Sequence, residues 1–301
     1  MRFLPFIRFL ILLPVFVFAA TAAAAADDFS QYQPGSAPQQ SLPSEPYSPI
    51  APVSGRNQGY VEAGGDYSSL DKNQKDWYGE YLRSAFKSDS ANTWNLEVDN
   101  QNEFGNQGTF EDIGDTHIWT DRFFTALSAG TSENGNLFMP NYRVDGNLYY
   151  RFLPGKNLVG NIGAGYYDSK IHYHDQNVNF GASYYFSTPW IVEGGMHLDF
   201  SDPGNEFAPM AFAAVTWGHN KRDFLTLRYA YGKEAYEDIL INNATGAAAL
   251  KTVVGFDTSE FDVVWRHWFN NTPWGFNARG EYYTSKAYDR VGGSLGVFRE
   301  F

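Results

Sequence analysis

The side chains best suited to proton transfer or metal ligation are six histidines: His117, His172, His174, His197, His219 and His267. His172 and His174 stand in "IHYHD" beside Asp175, and an H-x-H pair on one strand face can hold a metal once a third ligand approaches. No third ligand is evident at that spacing, so the pair reads first as two solvated loop residues. His197 and Asp199 have the same two-residue spacing, which suits a base and its orienting acid. Hydrolysis would also need a nucleophile within reach, and the sequence sets no serine beside them. The chain has no cysteine, which removes thiolate catalysis, thiolate metal sites and disulfides. No catalytic motif emerges, and the expectation is a non-enzymatic chain without a cofactor.

Charged residues recur instead at every second position. In "NYRVDGNLYYRF", Tyr142, Val144, Gly146, Leu148, Tyr150 and Phe152 alternate with Asn141, Arg143, Asp145, Asn147, Tyr149 and Arg151. One face is apolar and the other carries two arginines, the signature of a strand between two different media. The same parity places Glu97, Asp99, Arg143, Asp145, Arg151, Glu193, Asp199, Arg228, Arg266, Arg279 and Glu281 on polar faces, together with Tyr149, Tyr167, Tyr185 and Tyr283. If those faces line a lumen, the charges pair across it and solvate it. The tyrosine rings could stack on sugars, which present flat apolar surfaces with polar edges.

Which solvent meets the apolar face follows from composition and compartment. Aromatic residues make up 18% of the 301-residue chain and glycines number 29, a balance that suits strands with aromatics turned toward lipid. Arg2 and Arg8 precede "FLILLPVFVFAA", and "TAAAAADD" supplies A-x-A cleavage choices, so residues 1–26 read as a secretory signal peptide. Without it the chain keeps 20 of its 22 basic residues against 34 acidic ones, a balance of −14, which argues against a nucleic-acid partner. Residues 27–57 are rich in Pro, Ser and Gln and read as a disordered periplasmic tail. No other stretch reaches the roughly 18 apolar residues of a membrane helix, so a membrane location requires a closed sheet.

From residue 58 to 301 the pattern predicts an all-β, antiparallel transmembrane barrel of about 12 to 14 strands, with 14 preferred; an even number returns the C-terminus to the periplasm, and merging two weak strands would give 12. The predicted strands are 58–68, 76–87, 92–103, 108–120, 122–132, 140–152, 157–168, 171–186, 189–200, 207–218, 221–232, 255–268, 273–284 and 288–301. Alternate connections such as "TDR", "LPGK" and "STP" are short periplasmic turns. The others are expected to be longer extracellular loops, the longest running from Lys233 to Val254 with a tip that could fold inward as a constriction. Trp190, Trp217, Trp265, Trp268 and Trp274 sit beside short turns, where an interfacial aromatic girdle belongs. The chain ends in Phe301 on an amphipathic strand, the form of an assembly signal, although Arg299 occupies a position where an outward aromatic is usual.

At this level the chain also resembles a known family. "FFTALSAGTSENGNLFMPNYRVDGNLYYRFLPGKNLVGNIGAGYY", "GASYYFSTPWIVEGGMHLDFSDPGNEFAP" and "LTLRYAYGKEAY" are similar to the barrel of YaiO-type outer-membrane proteins over roughly residues 58 to 301. The resemblance implies a Gram-negative outer-membrane barrel with no established enzymatic chemistry. Some relatives resemble the barrel portions of exopolysaccharide export proteins and carry helical repeats ahead of the barrel, where this chain has its short tail. The expected role is a conduit or accessory channel associated with exopolysaccharide export. Its expected partners are outer-membrane lipid and lipopolysaccharide, the barrel assembly machinery and polysaccharide synthesis or export components. A barrel hydrolase and a plugged structural or adhesive barrel are the alternatives.

Overall fold

The computed structural model describes residues 59–301 apart from 73, 104, 134–138, 171–173, 220–221, 242–247 and 271, and leaves out the side chains of 236–254. The leader over 1–26 and the tail over 27–57 lie outside the described residues. The strands are β1 (Gly59–Leu70), β2 (Trp77–Lys87), β3 (Asn92–Glu103), β4 (Asn106–Ile118), β5 (Phe123–Ser132), β6 (Pro140–Phe152), β7 (Leu158–Ser169), β8 (His174–Tyr185), β9 (Trp190–Asp202), β10 (Glu206–His219), β11 (Asp223–Ile241), β12 (Ala248–Trp268), β13 (Trp274–Ser285) and β14 (Asp289–Glu300). Each pairs antiparallel with its sequence neighbours, and β1 pairs with β14 to close a 14-strand barrel. Closure gives strand backbone groups ladder partners, which a sheet needs in a medium that offers no hydrogen bonds.

The alternation sets which face is which. On β6, Tyr142, Val144, Leu148 and Tyr150 are 43–49% exposed, whereas Arg143, Tyr149 and Arg151 are 6–9% exposed. Apolar side chains cover the outside and ionic ones the inside, the reverse of a water-soluble domain. A contiguous exposed apolar band of this kind marks a surface made for lipid.

The seam between first and last strands is tied twice. At the end carrying the termini, Gly59 and Phe301 exchange two backbone hydrogen bonds of 2.9 Å. Inside the barrel, β14 presents Gly292 and Gly296, where an added Cβ would lie 2.0 Å from Ser68 Oγ and 2.3 Å from Tyr81 Oη respectively. Because β14 has no side chain there, its two neighbours meet above it. Ser68 on β1 donates to Glu281 on β13 at 3.0 Å, and Asn277 on β13 donates to Glu62 on β1 at 2.5 Å. Tyr81 on β2 donates to the same Glu62 carboxylate at 3.0 Å.

One expectation about the loops is corrected. The segment 233–254, predicted as a loop, largely continues β11 and β12, paired from Lys233↔Asp257 to Ile241↔Ala248 with an irregularity at Asp238/Ile239. Those strands run 19 and 21 residues where the others run 10 to 14. The physical reason is in the composition: "YEDILI" and "TVV" are β-branched and aromatic, and only "NNATGA" has loop character, residues that lie outside the described ones. Ala235, at the base of this extension, packs with lumen-facing Tyr167 of β7 and Ala208 of β10. The length asymmetry between the two ends therefore resides mainly in one hairpin.

Candidate functional site

The lumen is built by parity: each strand that turns an apolar residue to lipid turns the next residue inward. Three walls result. On β11–β14, Arg228 Nη1 meets Asp262 at 2.8 Å, and Arg279 Nη2 meets Glu260 at 2.9 Å, Asp262 at 2.5 Å and Glu281 at 3.4 Å. Arg290 Nε meets Glu281 at 2.8 Å, and Tyr283 donates to Glu234 at 2.6 Å. On β6–β9, Arg143 pairs with Asp145 at 2.5 Å, His197 Nε2 meets Asp199, Ser201 donates to Asp175 at 2.9 Å, and Ser183 donates to Glu193 at 3.3 Å. On β1–β4, Arg83 meets Glu97 at 2.7 Å and Asp99 at 3.9 Å, and Gln101 donates to Asp66 at 2.9 Å.

Aromatic rings line the lumen toward the terminal end. Tyr149 stacks on Phe124 with centroids 4.6 Å apart, Arg151 lies 4.9 Å over the same Phe124 ring, and Tyr185 packs beside them. Across the barrel, Arg266 lies 4.0 Å over Phe298 and 4.9 Å over Trp268. Arg83, Arg143, Arg151, Arg266 and Arg290 are each 9% exposed or less. Barrels of 16 to 18 strands leave an aqueous channel and 8 strands leave none. Here the strand number would allow a narrow pore, but the inward side chains cover one another.

Every lumen residue predicted from the sequence projects inward: Arg143, Asp145, Tyr149, Arg151, Tyr185, Glu193 and Asp199 from β6–β9, and Arg228, Arg266, Arg279 and Glu281 from β11–β13. Sequence reasoning missed Glu62, Tyr81, Arg83, Glu103, Glu260, Asp262 and Arg290, although the same alternation carries them. Of the predicted girdle, Trp190, Trp217, Trp265 and Trp274 are outward and 43–46% exposed. Trp94 and Trp119 join them, so six of the eight tryptophans ring the terminal end. Trp268 is a correction: it is 2% exposed, points inward and donates to Glu300 at 3.0 Å. Its parity with Arg266 requires this, since a strand changes face at each residue. Arg299 does point outward, 5.6 Å over the Trp274 ring, a cation–π contact at the rim.

Two chemical alternatives can be tested on geometry. Glu260, Asp262 and Glu281 bring carboxylate oxygens within 4.8 Å of one another, as a cation site would. Arg279 Nη2 already meets all three, so a guanidinium supplies the positive charge. His174 Nδ1 lies 2.8 Å from Asp168 and 3.1 Å from Tyr166 Oη on the outer face, while His172 lies outside the described residues. His197 and Asp199 do meet, but the proton of Ser201 goes to Asp175 and that of Ser183 to Glu193.

A closed antiparallel barrel with an apolar outer band, a tryptophan ring at one end and an ionic interior is an outer-membrane β-barrel. The comparisons agree with that class. The chain superposes on a structure described as a CymD monoaromatic hydrocarbon channel with a TM-score of 0.54 at 7% identity, covering 81% of this chain and 88% of that one. A bacterial polysaccharide outer membrane secretin gives a TM-score of 0.48 at 6% identity, covering 81% and 98%. An anion-selective porin from Comamonas acidovorans gives 0.41 at 9% identity, covering 82% and 99%. At 7% identity the likeness to the hydrocarbon channel is one of fold. No curated protein matches the chain in sequence. The model of the YaiO membrane beta barrel domain matches residues 58–237, more than half of the chain, and the chain belongs to that family.

Proposed function

We propose that this barrel is a non-enzymatic conduit of the outer membrane, closed by its own side chains in the present conformation, that serves the passage of a polar polymer. The observation that carries the reading is the lumen itself. A 14-strand wall is lined by ion pairs and by tyrosine rings such as Tyr149 and Tyr185, and rearranging those side chains would open a polar path. Surface polysaccharide is the cargo class that such a lining suits, because sugars offer hydroxyl groups to charged residues and flat faces to rings. The tryptophan-rich end carrying Gly59 and Phe301 then faces the periplasm and the β11–β12 hairpin faces outward, where it meets lipopolysaccharide. Export components would supply the cargo from the periplasmic side. The barrel assembly machinery would insert the chain, with Phe301 as part of its signal.

The burial of the lumen charges favours a second reading, a plugged scaffold with no passage. Single-channel recording of the refolded barrel in a planar bilayer, with and without neutral oligosaccharides, separates the two. Reproducible open steps that sugars block support the conduit. Silence from a correctly folded, heat-modifiable barrel supports the scaffold.

A further inference from the structure

The three walls differ in charge. On β11–β14, Glu234, Glu260, Asp262, Glu281 and Glu300 face four arginines, and the wall is near balance. On β1–β4, Glu62, Asp66, Glu97, Asp99, Glu103 and Asp112 turn inward and the wall's own guanidinium is that of Arg83, with Arg266 reaching toward Glu62, Arg279 toward Asp66 and Arg143 toward Asp112 from the other walls. Neutral donors reach some of them, as with Glu62 and Asp66. Arg83 is taken up by Glu97, with Asp99 at the limit of pairing distance.

Two carboxylates on this wall are buried and weakly held. Glu103 is 0% exposed and neither of its oxygens accepts a hydrogen bond among the described residues, while Asp99, 2% exposed, has Arg83 at 3.9 Å and the Glu97 carboxyl beside it. The cation that acts on Glu103 is Arg290, which also stands 2.8 Å from Glu281. A buried anion without a donor is costly unless a cation accompanies it. Rings of Asp and Glu are how a pore is made to favour cations, and a cleft lined by one sign of charge concentrates the opposite sign about 10- to 1000-fold.

We infer that the β1–β4 wall is a cation-binding surface around Asp99 and Glu103, and that the cargo it accepts is an amine-bearing, cationic oligosaccharide rather than an anionic one. The identity of the cargo rests on the conduit reading. The cation preference rests on the wall alone. Asp66 and Glu97 flank the pair along the same face, so an ammonium group moving along the lumen would pass several carboxylates in succession.

The test is calorimetric titration of the refolded full-length barrel in detergent with three probes: glucosamine oligomers, N-acetylglucosamine oligomers and alginate oligomers. The cationic oligomer should bind at least about 10-fold more tightly than the neutral one, the anionic oligomer most weakly, and the preference should fall as salt rises. In the double variant Asp99→Asn/Glu103→Gln the preference should fall toward unity with the heat-modifiable band retained, because each carboxyl is replaced by a neutral amide of the same shape. Equal binding of all three oligomers, tighter binding of alginate, or an unchanged preference in the double variant overturns the inference. Should the variant not fold, the wild-type salt dependence still decides: a preference insensitive to salt overturns it. Bilayer recordings keep the two readings apart. A silent barrel that binds the cationic oligomer removes the conduit and leaves the cation surface, whereas open steps selective for chloride remove the cation surface and leave the conduit.

Discussion

Replacing Arg279 with glutamine should destabilise the barrel by about 3 kcal/mol, and the magnitude follows from what each carboxylate would keep. Asp262 retains Arg228 at 2.8 Å and Glu281 retains Arg290 at 2.8 Å, whereas the nearest of these arginines to Glu260 becomes Arg228 at the longer distance of 3.9 Å. The loss therefore falls chiefly on Glu260, whose side chain is 4% exposed against 9% for Arg279, so solvent does little to screen it. Removing one partner of a buried ion pair costs about 3–5 kcal/mol, and the residual Arg228 contact places this case at the lower end. Urea unfolding of the barrel in lipid vesicles would read the loss as a midpoint lower by about 1 M at a slope near 3 kcal/mol/M. In a double-mutant cycle, adding Glu260→Gln to the Arg279→Gln background should recover about 2 kcal/mol relative to the sum of the single changes. A midpoint that moves by less than about 0.3 M, or strictly additive single changes, would refute the pairing and with it the argument that the lumen is held closed by ionic contacts.

Further outcomes follow from other parts of the molecule. In single-tryptophan variants, brominated lipid should quench Trp190, Trp217, Trp265 and Trp274 strongly and Trp268 little; equal quenching of Trp268 would place it back in the girdle. Gly296→Val would set a Cβ 2.3 Å from Tyr81 Oη and 2.6 Å from Glu62 Oε1, and should cost about 1–3 kcal/mol in urea unfolding. Gly280→Ala, where a Cβ meets nothing within 4 Å, is the control and should leave the midpoint in place. In the turn between β2 and β3, the Asn92 side chain and the amides of Ala91 and Asn92 hold the Asp89 carboxyl below its usual range. A depressed carboxyl adds stability above its unfolded value near pH 4, lost as pH falls through the folded value. Asp89→Ala should therefore narrow the stability difference between pH 6 and pH 3, and an unchanged difference would count against the turn.

The outer face was readable because lipid imposes one rule on every strand. Tyr142, Val144, Leu148 and Tyr150 mark β6 without any knowledge of what lies next to it, and ring closure follows from the number of such strands. The interior obeys no local rule. Glu62 is held by Asn277, 215 positions away, and that contact exists only because β14 closes against β1 with glycines at the crossing. "YVEAGGDYSS" shows weak alternation for the same reason, since Gly64 and Gly65 leave both faces bare where Tyr81 needs room.

Where two sequence signals competed, the covalent one prevailed. Trp268 lies beside a turn, which suggests a girdle, but it is two residues from Arg266, which fixes its face to the lumen. Proximity to a turn is a statistical cue, whereas alternation is imposed by the backbone of a regular strand. The same contrast explains the extended hairpin: "NNATGA" at the tip suggested a loop, yet the β-branched residues Ile239, Ile241, Val253 and Val254 behind it supply the pairing propensity of strands. The aperture of the barrel was the least readable property. Strand number sets the circumference, but the free space inside depends on how far each arginine and tyrosine reaches and which partner stops it. Arg279, held by three carboxylates from two strands, shows how partners rather than side-chain length fix where an inward group stops.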